Sequence, residues 1–263
     1  MVRGVMKLRA RPLGATGVDV SPLALGTVKL GRNTGVRYPA AFELPDDKQV
    51  RRLLEMAHAY GIRLIDTAPA YGASEERLGQ LLPGRREDWL ICTKAGESWE
   101  NGTSRFDFSA DAIRGSVERS LRRLRTDYLD VVLLHSDGHD LDILNQSGAI
   151  ESLQRLKERG SVRLIGMSTK TVKGGLAALA VSDVLMVTLN PSDTSQLPVI
   201  EAAEQGGQGI LLKKVFDSGH ADPADCLAFA LATPGVSSAV IGTINEEHLA
   251  NNVSIALKLL DDA

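Results

Sequence analysis

The sequence predicts an α/β fold, a (β/α)8 TIM barrel with an N-terminal β-hairpin, and three observations predict it. Short runs rich in Val, Ile and Leu alternate eight times with stretches whose apolar residues recur every three or four positions. The strand-like runs are apolar throughout rather than alternating, as in a parallel sheet covered by helices. The length, 263 residues, suits a barrel that commonly takes about 250 residues as one domain. Residues 1–263 are accordingly expected to form a single domain, since no composition shift or Ser/Pro-rich stretch marks a linker.

Taken in order, "KLRARPLGATGVDVSPLALG" reads as the opening hairpin, with its turn between Gly14 and Gly17. The expected strands are Leu23–Leu25, Arg63–Ile65, Trp89–Thr93, Leu129–Leu134, Val162–Met167, Val184–Leu189, Ile210–Val215 and Ser238–Ile241. The expected helices are Asp46–Tyr60, Ser74–Leu81, Ala110–Leu124, Ala149–Arg159, Val172–Ala180, Leu197–Gln205, Pro223–Ala232 and Glu246–Leu260. Ser109 and Asp222-Pro223 are start signals; Gly61, Gly160 and Gly206 are stop signals. An open doubly wound sheet is the rival architecture. It fails because "GTVKLGRNTG", after the first strand, lacks the glycine spacing of a dinucleotide fingerprint.

Composition excludes several classes. With 43% apolar and 24% charged residues and a net charge of −3, the chain has no basic stripe for nucleic acid. Arg85-Arg86 and Arg122-Arg123 are expected on solvated helix faces. Two cysteines, Cys92 and Cys226, form neither a disulfide framework nor a metal-ligand pattern, and Cys92 in "WLICTK" reads as core. No apolar run has the length of a membrane span, and the start lacks a leader's apolar segment, so a cytoplasmic location is expected.

In a barrel of this kind, active sites lie where strands end and the following loops begin. Asp66 ends the second strand and Tyr71 stands on its loop; Lys94 ends the third strand and His135 the fourth. Singly, each has an ordinary use: a helix cap, a rim aromatic, a snorkelling lysine, a core histidine. Together, on consecutive strands about 5 Å apart, they form a proton-transfer constellation. Lys94 and Asp66 should pair in a poorly hydrated site. The neighbouring ammonium is expected to lower the Tyr71 pKa and make it a proton donor near neutral pH.

These motifs resemble the aldo-keto reductase family over nearly the whole chain. "GIRLIDTAPAYGASEERLGQLL" is similar to the family's Asp-Thr-Ala-x-x-Tyr-Gly signature, and "TKAG" resembles its lysine motif. "SVERSLRRLRTDYLDVVLLHSDG" and "GSVRLIGMST" resemble the segments that lead to the family's His and Ser-Asn. The resemblance implies a catalytic tetrad of Asp66, Tyr71, Lys94 and His135. It implies hydride transfer from NADP(H) to an aldehyde or ketone, with Tyr71 donating the proton, Lys94 tuning it, Asp66 holding Lys94 and His135 orienting the carbonyl.

The implied cofactor set departs from the family pattern. Ser168, Thr169 and Thr188 stand where a Ser-Asn pair and a Gln usually hold the carboxamide, with Asn190 a substitute. Lys213 and Lys214 replace the usual stacking aromatic, and at least one is expected to contact the cofactor, where it could neutralise the pyrophosphate. Thr243, Asn245 and His248 align with the 2′-phosphate site and Asn251 and Asn252 with the adenine site; Thr27 and Gly242 complete the set. No Arg or Lys marks the 2′-phosphate, which leaves NAD(H) open beside NADP(H). The seventh loop is shorter than in the family and the chain stops near the eighth helix, so an open, shallow mouth is expected. His139, Asp140, Trp99 and Phe106 are its expected wall. The partner is then a small carbonyl substrate, with no nucleic acid, membrane or metal. Two other functions fit the same residues: an NAD-dependent sugar or alcohol dehydrogenase, and a nucleotide-sensing barrel with little turnover. A lyase using Lys94 as a Schiff-base nucleophile is a further class.

Overall fold

Every apolar run expected to be a strand forms one, with ends shifted by a residue or two. In the computed structural model, which describes residues 6–261, the strands are β1 (Leu23–Gly26), β2 (Leu64–Asp66), β3 (Leu90–Ala95) and β4 (Leu129–His135), followed by β5 (Val162–Ser168), β6 (Val184–Thr188), β7 (Gly209–Lys213) and β8 (Ser238–Ile241). Each pairs in parallel with its neighbours in sequence, and β8 pairs with β1 to close the barrel. Outside it lie α1 (Asp47–Ala59), α2 (Ser74–Leu81), α3 (Ala110–Leu124), α4 (Ala149–Glu158), α5 (Val172–Ala178), α6 (Leu197–Gly206), α7 (Pro223–Ala232) and α8 (Glu246–Asp261). Local chemistry starts several of them. Asp46 and Gln49 exchange side-chain and backbone hydrogen bonds at the start of α1, and Asp222 accepts from two amides at the start of α7.

The barrel puts alternate residues of each strand inside and outside, and this parity carries the site. Leu64, Cys92, Val131, Leu133, Met186 and Leu211 fill the interior, while Ile65, Ile91, Val132, Leu134, Val187 and Leu212 pack under the helices. Continuing the inward rows to the strand ends reaches Asp66, Lys94, His135, Ser168, Thr188 and Lys213. The interior is therefore apolar up to its last layer, and polar there.

The opposite end is plugged by the hairpin, Arg11–Pro12 paired with Asp19–Val20. Leu13 and Val20 join the interior cluster, and Ala15 N donates to Gly207 O at 2.6 Å. Arg86 was expected in solvent but is mostly buried: it donates to Asp130 Oδ2 at 2.7 Å and to the carbonyls of Trp89 and Tyr128. Among the segments not expected are short helices at Val28–Gly31 and Asp140–Gln146, and an antiparallel hairpin, Glu97–Glu100 with Thr103–Phe106. Among the described residues no helix is long and apolar enough to cross a membrane, and no group of His, Cys, Asp and Glu could hold a metal.

Candidate active site

Asp66, Lys94 and His135 meet at the barrel mouth because they lie in the last two positions of three successive strands with inward parity. Lys94 Nζ donates to Asp66 Oδ1 at 2.6 Å and to the Thr67 carbonyl at 2.9 Å, with both side chains almost wholly buried. Tyr71 is delivered by the loop after β2. A turn from Ala68 O to Tyr71 N shapes that loop, and Gly72, at φ +60°, lets it press against Gly31, where a Cβ would collide with the Gly31 carbonyl. The Lys94 ammonium lies 4.7 Å from the Tyr71 ring centroid, and the His135 ring meets Tyr71 edge-on at 6.3 Å. The four expected catalytic residues are thus brought together.

One electrostatic expectation is corrected. Tyr71 is only half-buried at the cavity wall, yet its desolvation raises its pKa; Lys94 acts downward but is itself paired with Asp66, whose charge acts upward with that of Glu97. The phenol therefore stays protonated well above neutral pH rather than being shifted toward it. Burial alone would lower Lys94, but Asp66 outweighs it and the ammonium is raised above its usual value.

The tetrad opens into a cavity of about 990 Å³. Of the residues implied for a cofactor, Thr169, Thr188, Lys213, Lys214, Gly242, Thr243, His248, Asn251 and Asn252 line it. Four others have their side chains engaged elsewhere. Thr27 Oγ1 donates to the Asp66 carbonyl and accepts from Ser74. Asn190 holds the Lys214 carbonyl and two amides of its own loop. Asn245 caps the amides of Glu247 and His248. Ser168 is buried and accepts from Lys213 Nζ at 2.9 Å; Lys213 also donates to the Thr169 carbonyl at 2.7 Å. Burial, reinforced by the charges of Lys214, Lys94 and Lys170, pushes Lys213 down to about 7. A smaller cavity of about 410 Å³, between Tyr60 and α8, contains none of these residues.

Several participants were missed from sequence. The segment from Val28 to Phe42 forms one wall of the cavity, with Tyr38 and Phe42 packed edge-on and Lys29 over both rings. Arg32 fastens that segment, stacking on Trp99 at 3.2 Å and donating to the carbonyls of Thr34, Gly35 and Ala70. The mouth is accordingly walled rather than open and shallow. Of the expected wall, Trp99 supports it through Arg32. His139 points to solvent, Phe106 is exposed, and the buried Asp140 ties Ser136 to Lys170 and Thr171.

Gln196, just before α6, lines the cavity with its Oε1 unpaired. Glu97 reaches the cavity because Gly96, at φ +99°, reverses the chain directly after β3. Its Oε2 lies 2.7 Å from His135 Nδ1, close but not aligned as a hydrogen bond, and its Oε1 accepts from Ser104 at 2.5 Å. Burial would raise this carboxyl; His135, Ser104 and Arg32 outweigh it and hold it down at about 2.

Comparison with known proteins agrees with the geometry. The model of the Aldo/keto reductase family matches residues 22–206. A crystal structure of a Pseudomonas aeruginosa protein assigned to the aldo-keto reductases superposes with a TM-score of 0.90 at 49% identity, covering 99% of each chain. An aldo-keto reductase from Bacillus halodurans, in its holo form, superposes at 0.81 with 24% identity over 94% of this chain and 90% of that one, and shows the fold alone. L-galactose dehydrogenase of Arabidopsis thaliana is 38% identical over 62% of this chain and 49% of its own length. The chain thus spans about half the length of the first curated relatives it matches. Pyridoxal 4-dehydrogenase of Microbacterium luteolum is 26% identical over 92% of this chain and 91% of its own. With a buried Asp66–Lys94 pair under Tyr71, His135 beside it and a family match across most of the barrel, this chain belongs to the aldo/keto reductase family of oxidoreductases.

Proposed function

We propose that the protein reduces small aldehydes or ketones to alcohols with NADP(H), Tyr71 serving as the general acid. The observation that carries this reading is the Asp66–Lys94 pair lying beneath the ring of a protonated Tyr71, with His135 across from it at a cavity large enough for cofactor and substrate. A nicotinamide, when bound, supplies the hydride. Tyr71 holds the proton that the carbonyl oxygen takes up. Lys94, fixed by Asp66, keeps a positive charge beside the developing alkoxide, in a site where burial strengthens that attraction. His135 orients the reacting oxygen through a ring nitrogen.

The residues present fit a dinucleotide. Thr169 Oγ1, Gln196 Oε1 and Asn252 Oδ1 are buried without hydrogen-bond partners, and all three residues line the cavity. Unpaired buried polar atoms are costly, and a small side-chain rotation toward a ligand amide or ring edge would satisfy them. Lys213 and Lys214 would hold the pyrophosphate.

A second reading, an NAD-dependent sugar or alcohol dehydrogenase, is favoured by the implied 2′-phosphate positions. Thr243, Asn245 and His248 include no Arg or Lys, and Asn245 is already engaged as a cap. Fluorescence titration with NADPH and NADH separates the two readings by which cofactor binds more tightly. Oxidation of the preferred cofactor with 4-nitrobenzaldehyde tests the enzyme. Tyr71→Phe should retain cofactor affinity and lower kcat by about 10²–10⁴. Equal, slow rates in wild type and variant would leave only a nucleotide-sensing barrel.

A further inference from the structure

Glu97 belongs to no motif read from the sequence, yet it is the carboxylate nearest the expected proton-transfer machinery. Two elements fix it: the turn at Gly96 folds it back from β3, and the paired hairpin strands bring Ser104 to its Oε1. The carboxyl is buried between the hairpin and His135, with the Arg32 segment stacked on Trp99 of the same hairpin. His135 Nδ1 is buried against Glu97, and Nε2, on the far edge of the ring, is the nitrogen left open to the cavity.

This arrangement decides where the imidazole proton sits. A neutral imidazole has one N–H and one lone pair, and a carboxylate only accepts. At 2.7 Å from a carboxylate oxygen, an unprotonated Nδ1 would set two electron-rich atoms in contact, whereas a proton on Nδ1 turns the contact attractive even out of line, so Nδ1 carries the proton. Nε2 is then an acceptor in the neutral ring and a donor only in the imidazolium. We propose that Glu97 is a positioning residue that holds His135 in the Nδ1–H form, so that His135 donates to a carbonyl oxygen only when doubly protonated and, when neutral, accepts the hydroxyl of an alcohol. The proposal rests on the reductase reading for its consequence but not for the tautomer itself.

The consequence is a pH-dependent choice of substrate form. The charged groups facing His135 are Glu97 from the hairpin, Lys94 with its partner Asp66 from β3 and β2, and Lys213 from β7; the neutral Tyr71 ring packs edge-on. Burial, Lys94 and Lys213 push the imidazole below its ordinary value, and Glu97 acts against them. Below the His135 midpoint the ring is a donor and suits the carbonyl. Above it the ring is an acceptor and suits the alcohol. The site therefore favours carbonyl binding in acid and alcohol binding at neutral and alkaline pH.

Nitrogen-15 correlation spectra of the imidazole rings, in protein without added cofactor, test this directly, with His135 assigned by its loss in His135→Asn. Neutral wild type should show a protonated Nδ1 and an unprotonated Nε2. In Glu97→Gln the amide N–H can donate to Nδ1, so the proton should move to Nε2, and the His135 midpoint should fall by about one pH unit or more. Ser104→Ala, which keeps the carboxylate, should retain the wild-type tautomer. Kinetically, kcat/KM for 4-nitrobenzaldehyde should fall about tenfold per pH unit above the wild-type midpoint and be flat over that range in Glu97→Gln. An Nε2–H tautomer in wild type, or the same tautomer in wild type and Glu97→Gln, would overturn the proposal whatever the activity. A shifted tautomer with no turnover in any variant would instead count against the reductase reading alone.

Discussion

The two halves of the barrel mouth differ in how far their polar groups are satisfied. On the side of β2 to β4, Asp66 and Lys94 are paired at 2.6 Å, Lys94 also holds the Thr67 carbonyl, and Thr67, Ser74 and Thr27 form a chain of hydroxyls behind them. On the side of β5 to β8, Thr169 Oγ1, Gln196 Oε1 and Asn252 Oδ1 are buried and unpaired, and Lys213 is a lysine pushed down to about 7. One half is finished by the chain itself, apart from His135 Nδ1, which has only the unaligned Glu97 carboxylate beside it. The other keeps unmet hydrogen-bond demand, the signature of a surface completed by a ligand. Reactive groups need fixed geometry before substrate arrives, whereas binding groups gain affinity by being unpaired until it does.

The comparison breaks most visibly at Lys94. Lys94→Met leaves Asp66 buried without its partner, so it should abolish turnover and destabilise the fold by about 3–5 kcal/mol, read by denaturant unfolding. A change under 1 kcal/mol would mean that the first half is less tightly coupled than its geometry shows. On the other half, Lys213→Met should weaken cofactor binding about tenfold while leaving folding intact, because it removes a charge at the proposed pyrophosphate contact. The sign of the pH effect is fixed by the lowered lysine. Above pH 7 the free amine is largely neutral, an incoming anion must bring a proton with it, and wild-type affinity should decline as pH rises from 7 to 9. The Met variant should lose that slope. Titrations at several pH values decide it.

Smaller effects sharpen the contrast. Thr169→Val replaces an unpaired hydroxyl by a methyl group, so thermal stability should hold or rise slightly while cofactor affinity falls by a factor of about 5–10. Loss of stability there would mean that the hydroxyl is already satisfied. Trp99→Ala removes the stack beneath Arg32 and should raise KM a few-fold with little change in Tm, since such contacts are worth about 0.5–1 kcal/mol at partly exposed sites.

Much of this was legible in the residues because barrel parity is a local property. Asp66, Lys94 and His135 continue rows whose earlier members are visibly apolar, and Tyr71 follows at a loop's length. The Glu97–Phe106 hairpin also carries a signal in its sequence. Asn101-Gly102, at φ +50° and +80°, is the dipeptide that favours a tight hairpin turn between alternating residues. By contrast, the Val28–Phe42 wall has no periodicity, and its place over the mouth comes from Arg32 meeting a tryptophan 67 positions later in the chain, a tertiary contact. Gln196 is equally silent: a glutamine before a helix looks like any other. The Tyr71 pKa was misjudged because sequence shows the neighbouring Lys94 but not the burial that outweighs it.

A crystal structure with bound cofactor tests the central claim most directly, that the unpaired half of the mouth is completed by the dinucleotide beside a preassembled tetrad. The expected result is that Thr169 Oγ1, Gln196 Oε1 and Asn252 Oδ1 gain ligand partners, with Lys213 on the pyrophosphate and the Asp66–Lys94 contact unmoved from 2.6 Å. A cofactor lying elsewhere, or a tetrad that assembles only on binding while those three atoms stay unpaired, would contradict it.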